Sequence, residues 1–354
     1  MELEKYSVKN LLIIFYIVIP VLFYIVPLYF LLSFGEFKVH FYSTLTANFE
    51  TVVGVLFGHI ILGLTIYYAL KSSNYYLRLN RKNIVLDFTT LILFTCAIFS
   101  SGIISMIVWS LFFISLANTK LYHITYFLMF LLGTANLIIN GERVLLVMVL
   151  IAWLFPYLTK MSIRQLFIFS FVGLLILVYI LQPLKYGLLP FSNFENPIQA
   201  SSYLIQHLFP IYLTSFLSYS IDFSASSLFF EFIPFGKSIS GEIGIVERLA
   251  MEGLPQDMIS EGARLGSNSA MYFSIIGIPI LMVMFLIIKS NMWILKSRML
   301  INSYLMYFVL QGPYFIRRSF ASYTIDIIII TVLVIIISFI ILVLKNQRKV
   351  GVYE

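Results

Sequence analysis

A chain of 354 residues in which 60% are hydrophobic and only 11% charged is excluded from the soluble globular class, where about a quarter of residues carry charge. Its net charge of +7 fits positive loops beside a bilayer better than a nucleic-acid surface. The single cysteine, Cys96, excludes an internal disulfide, and the sequence holds no Cys/His cluster of metal-binding type.

About twenty apolar residues cross a bilayer. The first apolar run, 10–34, is longer than the core of a signal peptide and lacks a small-residue cleavage site, so it reads as a retained helix. Pro20 and Pro27 bend it. The next span is 49–70, where Gly54 and Gly58 form a small-xxx-small pair suited to close helix packing. The run 84–117 is too long for one straight span. Ser100, Ser101 and Gly102 sit at its middle and divide it into short helices over 84–99 and 103–117. Further spans follow at 121–139, 144–158, 166–182, 269–289, 299–315 and 322–344. The expectation is an all-α polytopic membrane protein, one integral domain over 1–354 with about ten transmembrane helices.

Charge decides how 84–117 is read. With two helices there, the inner segments hold Lys5, Lys9, Lys71, Arg78, Arg81, Lys82, Lys120, Lys160, Arg164, Lys289, Lys296, Arg298, Lys345, Arg348 and Lys349, which is 15 of the 23 Lys and Arg. Both termini are then cytoplasmic, and the excess of cations lies inside. With one helix, Lys160, Arg164 and the cations of 289–298 fall outside.

Segment 183–268 becomes a long extracytoplasmic loop. Its eight acidic residues (Glu195, Asp222, Glu231, Glu242, Glu247, Glu252, Asp257, Glu261) outweigh Lys185, Lys237, Arg248 and Arg264, for a net −4. It is far longer than a connector requires, which points to function. Its apolar stretch 201–221 reads as an interfacial or re-entrant helix, because a full span there would reverse everything downstream. His207, Thr214 and Ser218 share one face of that helix, which Pro210 interrupts.

Three outer places carry unusual charge. They are the turn Gly141-Glu142-Arg143, the stretch Glu261-Gly262-Ala263-Arg264, and Arg317-Arg318 between the last two helices. A charge near lipid needs a partner, water or a ligand. Arginines gathered at one face suit a multiply charged phosphate, which guanidinium grips with forked hydrogen bonds. The plainer reading pairs Arg143 with Glu142, and Arg317 and Arg318 with Asp326 or lipid phosphate.

The Gly141-Glu142-Arg143-Val144-Leu145-Leu146 turn resembles the Wzy-type polymerases of O-antigen and capsule repeat units. So do the outer-loop stretch Ile233-Pro234-Phe235-Gly236-Lys237, the Arg264…Ser267-Asn268-Ser269-Ala270 junction and the Ile276-Gly277-Ile278-Pro279 helix. The resemblance covers roughly residues 120–320 together with the overall layout. It departs at Glu142, where a small polar residue is more usual.

The resemblance implies a membrane glycosyltransferase (GT-C-like) architecture in the bacterial cytoplasmic membrane. The donor would be a growing glycan on undecaprenyl diphosphate, and the acceptor another lipid-linked repeat of a surface polysaccharide such as that of lipopolysaccharide. A chain-length regulator is an expected partner; nucleic acid is not. Arg143, Arg264, Arg317 and Arg318 would stabilise the leaving diphosphate without metal or cofactor. A base must reach the acceptor hydroxyl, and His207, Glu242 and Glu261 are the candidates. His207 titrates near neutrality but equally suits the headgroup layer, and the two carboxylates equally suit a solvated loop. His59 reads as a helix–helix hydrogen bond. His123 lies on the wrong side, and Asp87 is expected to pair with Arg81 or Lys82. Tyr203, Tyr212, Tyr219, Phe229 and Phe230 could stack on sugars or simply mark the interface.

Three other functions compete. An O-antigen ligase shares the layout but uses a different acceptor. A lipid-linked oligosaccharide flippase would show mid-membrane charges and repeated halves. A membrane acyltransferase would want an early outer histidine, for which only His40 qualifies.

Overall fold

The computed structural model describes residues 4–22, 49–79, 82–141, 143–185, 187–192, 277–295, 297–313 and 320–350. Strand β1 (Glu4–Ser7) leads into helix α1 (Lys9–Leu22). Helix α2 (Phe49–Ala69) ends in a 3-10 turn, Leu70–Ser73, before strand β2 (Tyr76–Leu79). Then come α3 (Ile84–Phe99), α4 (Gly102–Asn118), α5 (His123–Asn140), α6 (Val144–Leu158) and α7 (Ile163–Leu181). After 183–268 and its flanks come α8 (Gly277–Leu295), α9 (Arg298–Gln311) and α10 (Phe320–Val350).

The expected break inside 84–117 is present. Asn83 starts α3, its side-chain oxygen accepting the backbone N–H groups of Val85 (2.9 Å) and Leu86 (3.4 Å). Ser100 and Ser101 are extended (φ −91° and −134°), and Gly102 takes φ +60°, a value glycine adopts without strain. The chain reverses there, and Thr90 of α3 meets Ser115 of α4 at 2.5 Å.

Helix α1 is not a regular coil. A π turn occupies Ile14–Val18, closed by the Ile19 N–H donating to the Ile14 carbonyl. Pro20 follows, and it removes the N–H that the Tyr16 carbonyl would accept in an α-helix. Gly63 of α2 comes up against this carbonyl: a Cβ at residue 63 would stand 2.0 Å from the Tyr16 oxygen. On its other side α1 meets Gly312, where a Cβ would stand 2.5 Å from Phe15 Cδ2. The Tyr16 hydroxyl donates to the Phe308 carbonyl at 2.8 Å.

Helix α9 is the centre. Every residue from Asn302 to Gln311 is buried, so its polar groups need internal partners. Tyr304 meets Thr331 at 2.5 Å, and Asn291 donates to both hydroxyls at 3.1 and 3.3 Å. Tyr307 donates to the Asp326 carboxylate at 2.8 Å. These contacts run antiparallel along α9 and α10. Around this centre, outward faces carry stripes of bare hydrocarbon: Ile84, Phe88 and Ile92 on α3, and Ile335, Phe339 and Leu342 on α10. Three helices, His123–Asn140, Ile163–Leu181 and Tyr323–Leu344, are long and apolar enough to cross a membrane.

The fold is mostly helical, in keeping with the all-α expectation, and β1 and β2 add only a short antiparallel ribbon in the register Glu4↔Leu79 to Ser7↔Tyr76. The apolar span set at 269–289 continues as helix through Lys289 to Leu295. The Lys289 ammonium lies over the Phe285 ring one turn earlier, 5.2 Å from its centroid, so the charge does not end the helix. Ser297 then starts α9, its hydroxyl accepting the Leu300 N–H at 3.5 Å.

Candidate functional site

The bundle has two distinct ends. At one, the ribbon is tied to several connections at once. Asn302 accepts the Arg78 N–H (3.2 Å) and donates to the Arg78 carbonyl (2.6 Å). Arg298 donates to that same carbonyl at 3.0 Å, and Asn10 donates to the Met161 carbonyl at 3.2 Å. All these residues belong to segments that the charge pattern assigns to one side. Asp87 lies here too; of its two expected partners, Arg81 lies outside the described residues. Asp87 accepts the Tyr122 N–H at 3.0 Å and the Thr125 hydroxyl, and so caps α5, whose own N-cap side chain makes no capping bond. Lys82 instead lies over the Tyr122 ring, 4.7 Å from its centroid. His123 accepts from the Trp153 indole at 3.2 Å, also at this end.

The opposite end carries the turn between α5 and α6. Gly141 has φ 67° and ψ 14°, and its N–H returns to the Leu137 carbonyl at 2.9 Å. This left-handed residue ends α5 as glycine does after many helices. Arg143 opens α6, its carbonyl accepting the Val147 N–H at 3.2 Å. The two helices pack tightly: a Cβ on Gly133 would lie 3.3 Å from the Leu146 backbone. Leu137, Leu146 and Leu181 form one buried cluster. The last turns of α7, which lead into the long segment from 183 onward, therefore lie beside this turn.

The chemistry of the turn favours an anion. Arg143 is half-buried, and its own side chain makes no capping hydrogen bond to the first turn of α6. The unsatisfied N–H groups and the dipole of a helix N-terminus attract negative charge, and the guanidinium adds forked donors. One turn back, Asn140 donates to buried Asn136 at 2.7 Å, adding polar groups at the same level. Asp326, 8% exposed, lies on the first turns of α10 beyond the Arg317–Arg318 pair. Sequence reasoning treated it only as a counter-ion and missed Tyr307 as its buried partner; an acid in an apolar helix was the available signal.

Of the remaining candidates, His207, Glu242, Glu261, Arg264, Arg317 and Arg318 lie outside the described residues, as do Glu142 and the loop 193–268. Among the described residues no group of three His, Cys, Asp or Glu side chains could hold a metal. Comparison with protein-family models, curated proteins and solved structures returned no match.

Proposed function

We propose that the chain is an integral protein of the bacterial cytoplasmic membrane that polymerises undecaprenyl-diphosphate-linked oligosaccharide repeats at the outer face. In this reading the acceptor hydroxyl attacks the anomeric carbon of the lipid-linked glycan, that carbon's bond to the diphosphate oxygen breaks, and the lipid diphosphate leaves. Arg143 and the start of α6 stabilise the charge arriving on the diphosphate, with Arg264, Arg317 and Arg318 as its further cationic partners. A base drawn from His207, Glu242 or Glu261 takes the hydroxyl proton.

The reading rests above all on the reversal at Ser100–Gly102. It sets Arg143 at the end of the bundle opposite the basic ribbon, and the positive-inside rule supports reading that end as the outer one. The family resemblance supplies the substrate class. Deletion and complementation followed by a gel of the surface polysaccharide test it. Loss of the polymer ladder with single-repeat product retained fits a polymerase. Long polymer left on the lipid carrier fits a ligase, and loss of every lipid-linked product from the outer face fits a flippase.

A further inference from the structure

The basic end holds a pocket of about 410 Å³, within the size range of small-ligand sites, lined by Lys5, Lys9, Lys71 and Arg78 together with Ser73 and Tyr76. No carboxylate occurs in its described lining. Aromatic faces hold two of the cations: Lys5 Nζ lies 3.7 Å from the Tyr76 centroid, and Lys71 Nζ lies 5.9 Å from that of Tyr68.

A general inward bias of positive charge accounts for cations spread along loops. It does not account for this arrangement. Lys5 and Arg78 are direct partners across the ribbon, and both are exposed on its outer face while Tyr6, Leu77 and Leu79 are buried on the other. Like charges directly opposite in an antiparallel pair destabilise it, and an anion between them reverses the sign of that term. The floor of the pocket is preformed by strained backbone. Asn74 and Tyr75 both have positive φ (52° and 56°), which is rare for a bulky residue such as tyrosine. The turn is held because the Tyr75 ring stacks on Tyr67 at 4.8 Å, its hydroxyl donates to the Tyr67 carbonyl at 3.2 Å, and its own carbonyl accepts the Val8 N–H at 2.9 Å.

The geometry points to this pocket as a binding site for a phosphate group, separate from the proposed reaction centre at the other end of the bundle. Converging ammonium and guanidinium donors match the several acceptor oxygens of a phosphate. The group can belong to an anionic lipid headgroup of the adjacent leaflet or to a soluble phosphate or diphosphate.

The full chain, purified in a neutral maltoside detergent, tests both sources. Native mass spectrometry measures retention of dioleoylphosphatidylglycerol against dioleoylphosphatidylcholine, and calorimetry measures binding of inorganic pyrophosphate. Selective retention of phosphatidylglycerol identifies a lipid site; saturable pyrophosphate binding identifies a soluble ligand. The double variant Lys5→Gln/Arg78→Gln should weaken whichever binding occurs by about ten-fold or more, since charge-assisted bonds are lost. Free of anion, it should melt at or above the wild-type temperature, because the repulsion is gone. The control Lys160→Gln/Arg164→Gln removes exposed cations outside the pocket and should leave binding within about two-fold. Absence of binding to either probe by the wild type, retained binding in the double variant, or equal weakening in the control overturns the assignment.

Discussion

The carbonyl oxygen of Tyr16 occupies the space that a side chain on residue 63 would need, 2.0 Å from the ideal Cβ position. The pairing follows from Pro20, which takes away that carbonyl's ordinary helical donor, and from the π turn that re-aims the backbone of α1. Helices α1 and α2 can approach this closely only because one of them offers hydrogen in place of carbon at the crossing.

Gly63→Ala should therefore destabilise the protein by about 3 kcal/mol or more, since a backbone clash cannot be relieved by a rotamer change. Gly173→Ala, where no atom lies within 4 Å of the added carbon, is the matched control and should be neutral or slightly stabilising. Thermal unfolding of the two purified variants checks the contrast; equal melting temperatures would contradict the close crossing.

Asn302 does for Arg78 what a third strand would do, meeting both its N–H and its carbonyl. Buried backbone groups left without a partner cost about 1–3 kcal/mol each. Asn302→Leu leaves the Arg78 N–H unmet while Arg298 still donates to the carbonyl, so it should lower stability by about 1–3 kcal/mol and speed amide exchange over Tyr76–Leu79. Unchanged exchange in that strand would show that the ribbon does not depend on α9.

Asp87 should rank its substitutions by what they leave for Tyr122 and Thr125. Asp87→Asn keeps one acceptor but loses the favourable charge at the α5 N-terminus, at a cost of about 1 kcal/mol. Asp87→Ala removes both acceptors and should cost about 2–3 kcal/mol. Equilibrium unfolding of both variants gives the order; an alanine variant as stable as wild type would remove the capping role.

Under the proposed function, Arg143→Ala should cut polymer formation by about 100-fold or more, in the range lost with one transition-state donor. Arg143→Lys, which keeps charge but not the fork, should fall between. Arg264→Ala should abolish polymer while the protein stays folded and inserted. Long-chain polysaccharide at normal levels in these variants, with expression matched, would remove the arginines from the site.

A reporter fused after Arg143 should read as extracytoplasmic. One fused after Lys120 should read as cytoplasmic. The same reading at both positions would mean that α5 does not cross the bilayer.

Much of the helical layout was legible because its punctuation is local. Ser100-Ser101-Gly102 and Gly141 mark helix ends that neighbouring residues alone dictate. The ribbon was not legible: each strand is only four residues long, and its partner lies some seventy positions away in sequence. The glycines illustrate the same limit. A small-xxx-small pattern drew attention to Gly54 and Gly58, but the need for glycine at Gly63 is set by a carbonyl on another helix and leaves no local mark. Asp87 was assigned the nearest cations in sequence, but a carboxylate can also satisfy backbone N–H groups, and those of α5 arrive only through tertiary packing. Of the candidate site, only Arg143 could be placed; the loop residues lie outside the described structure.

The short hairpin of α3 and α4 has a consequence for the lipid around it. Helices of 16 and 17 residues rise only about 24–26 Å, against a hydrocarbon thickness of about 30 Å. In the proposed setting, lipids flanking Ile84, Phe88 and Ile92 must shorten or tilt to cover that height, a deformation costing fractions of a kcal/mol per ångström. The membrane is then dimpled beside the hairpin, and a long isoprenoid tail lying there meets a bilayer already thinned by about 5 Å.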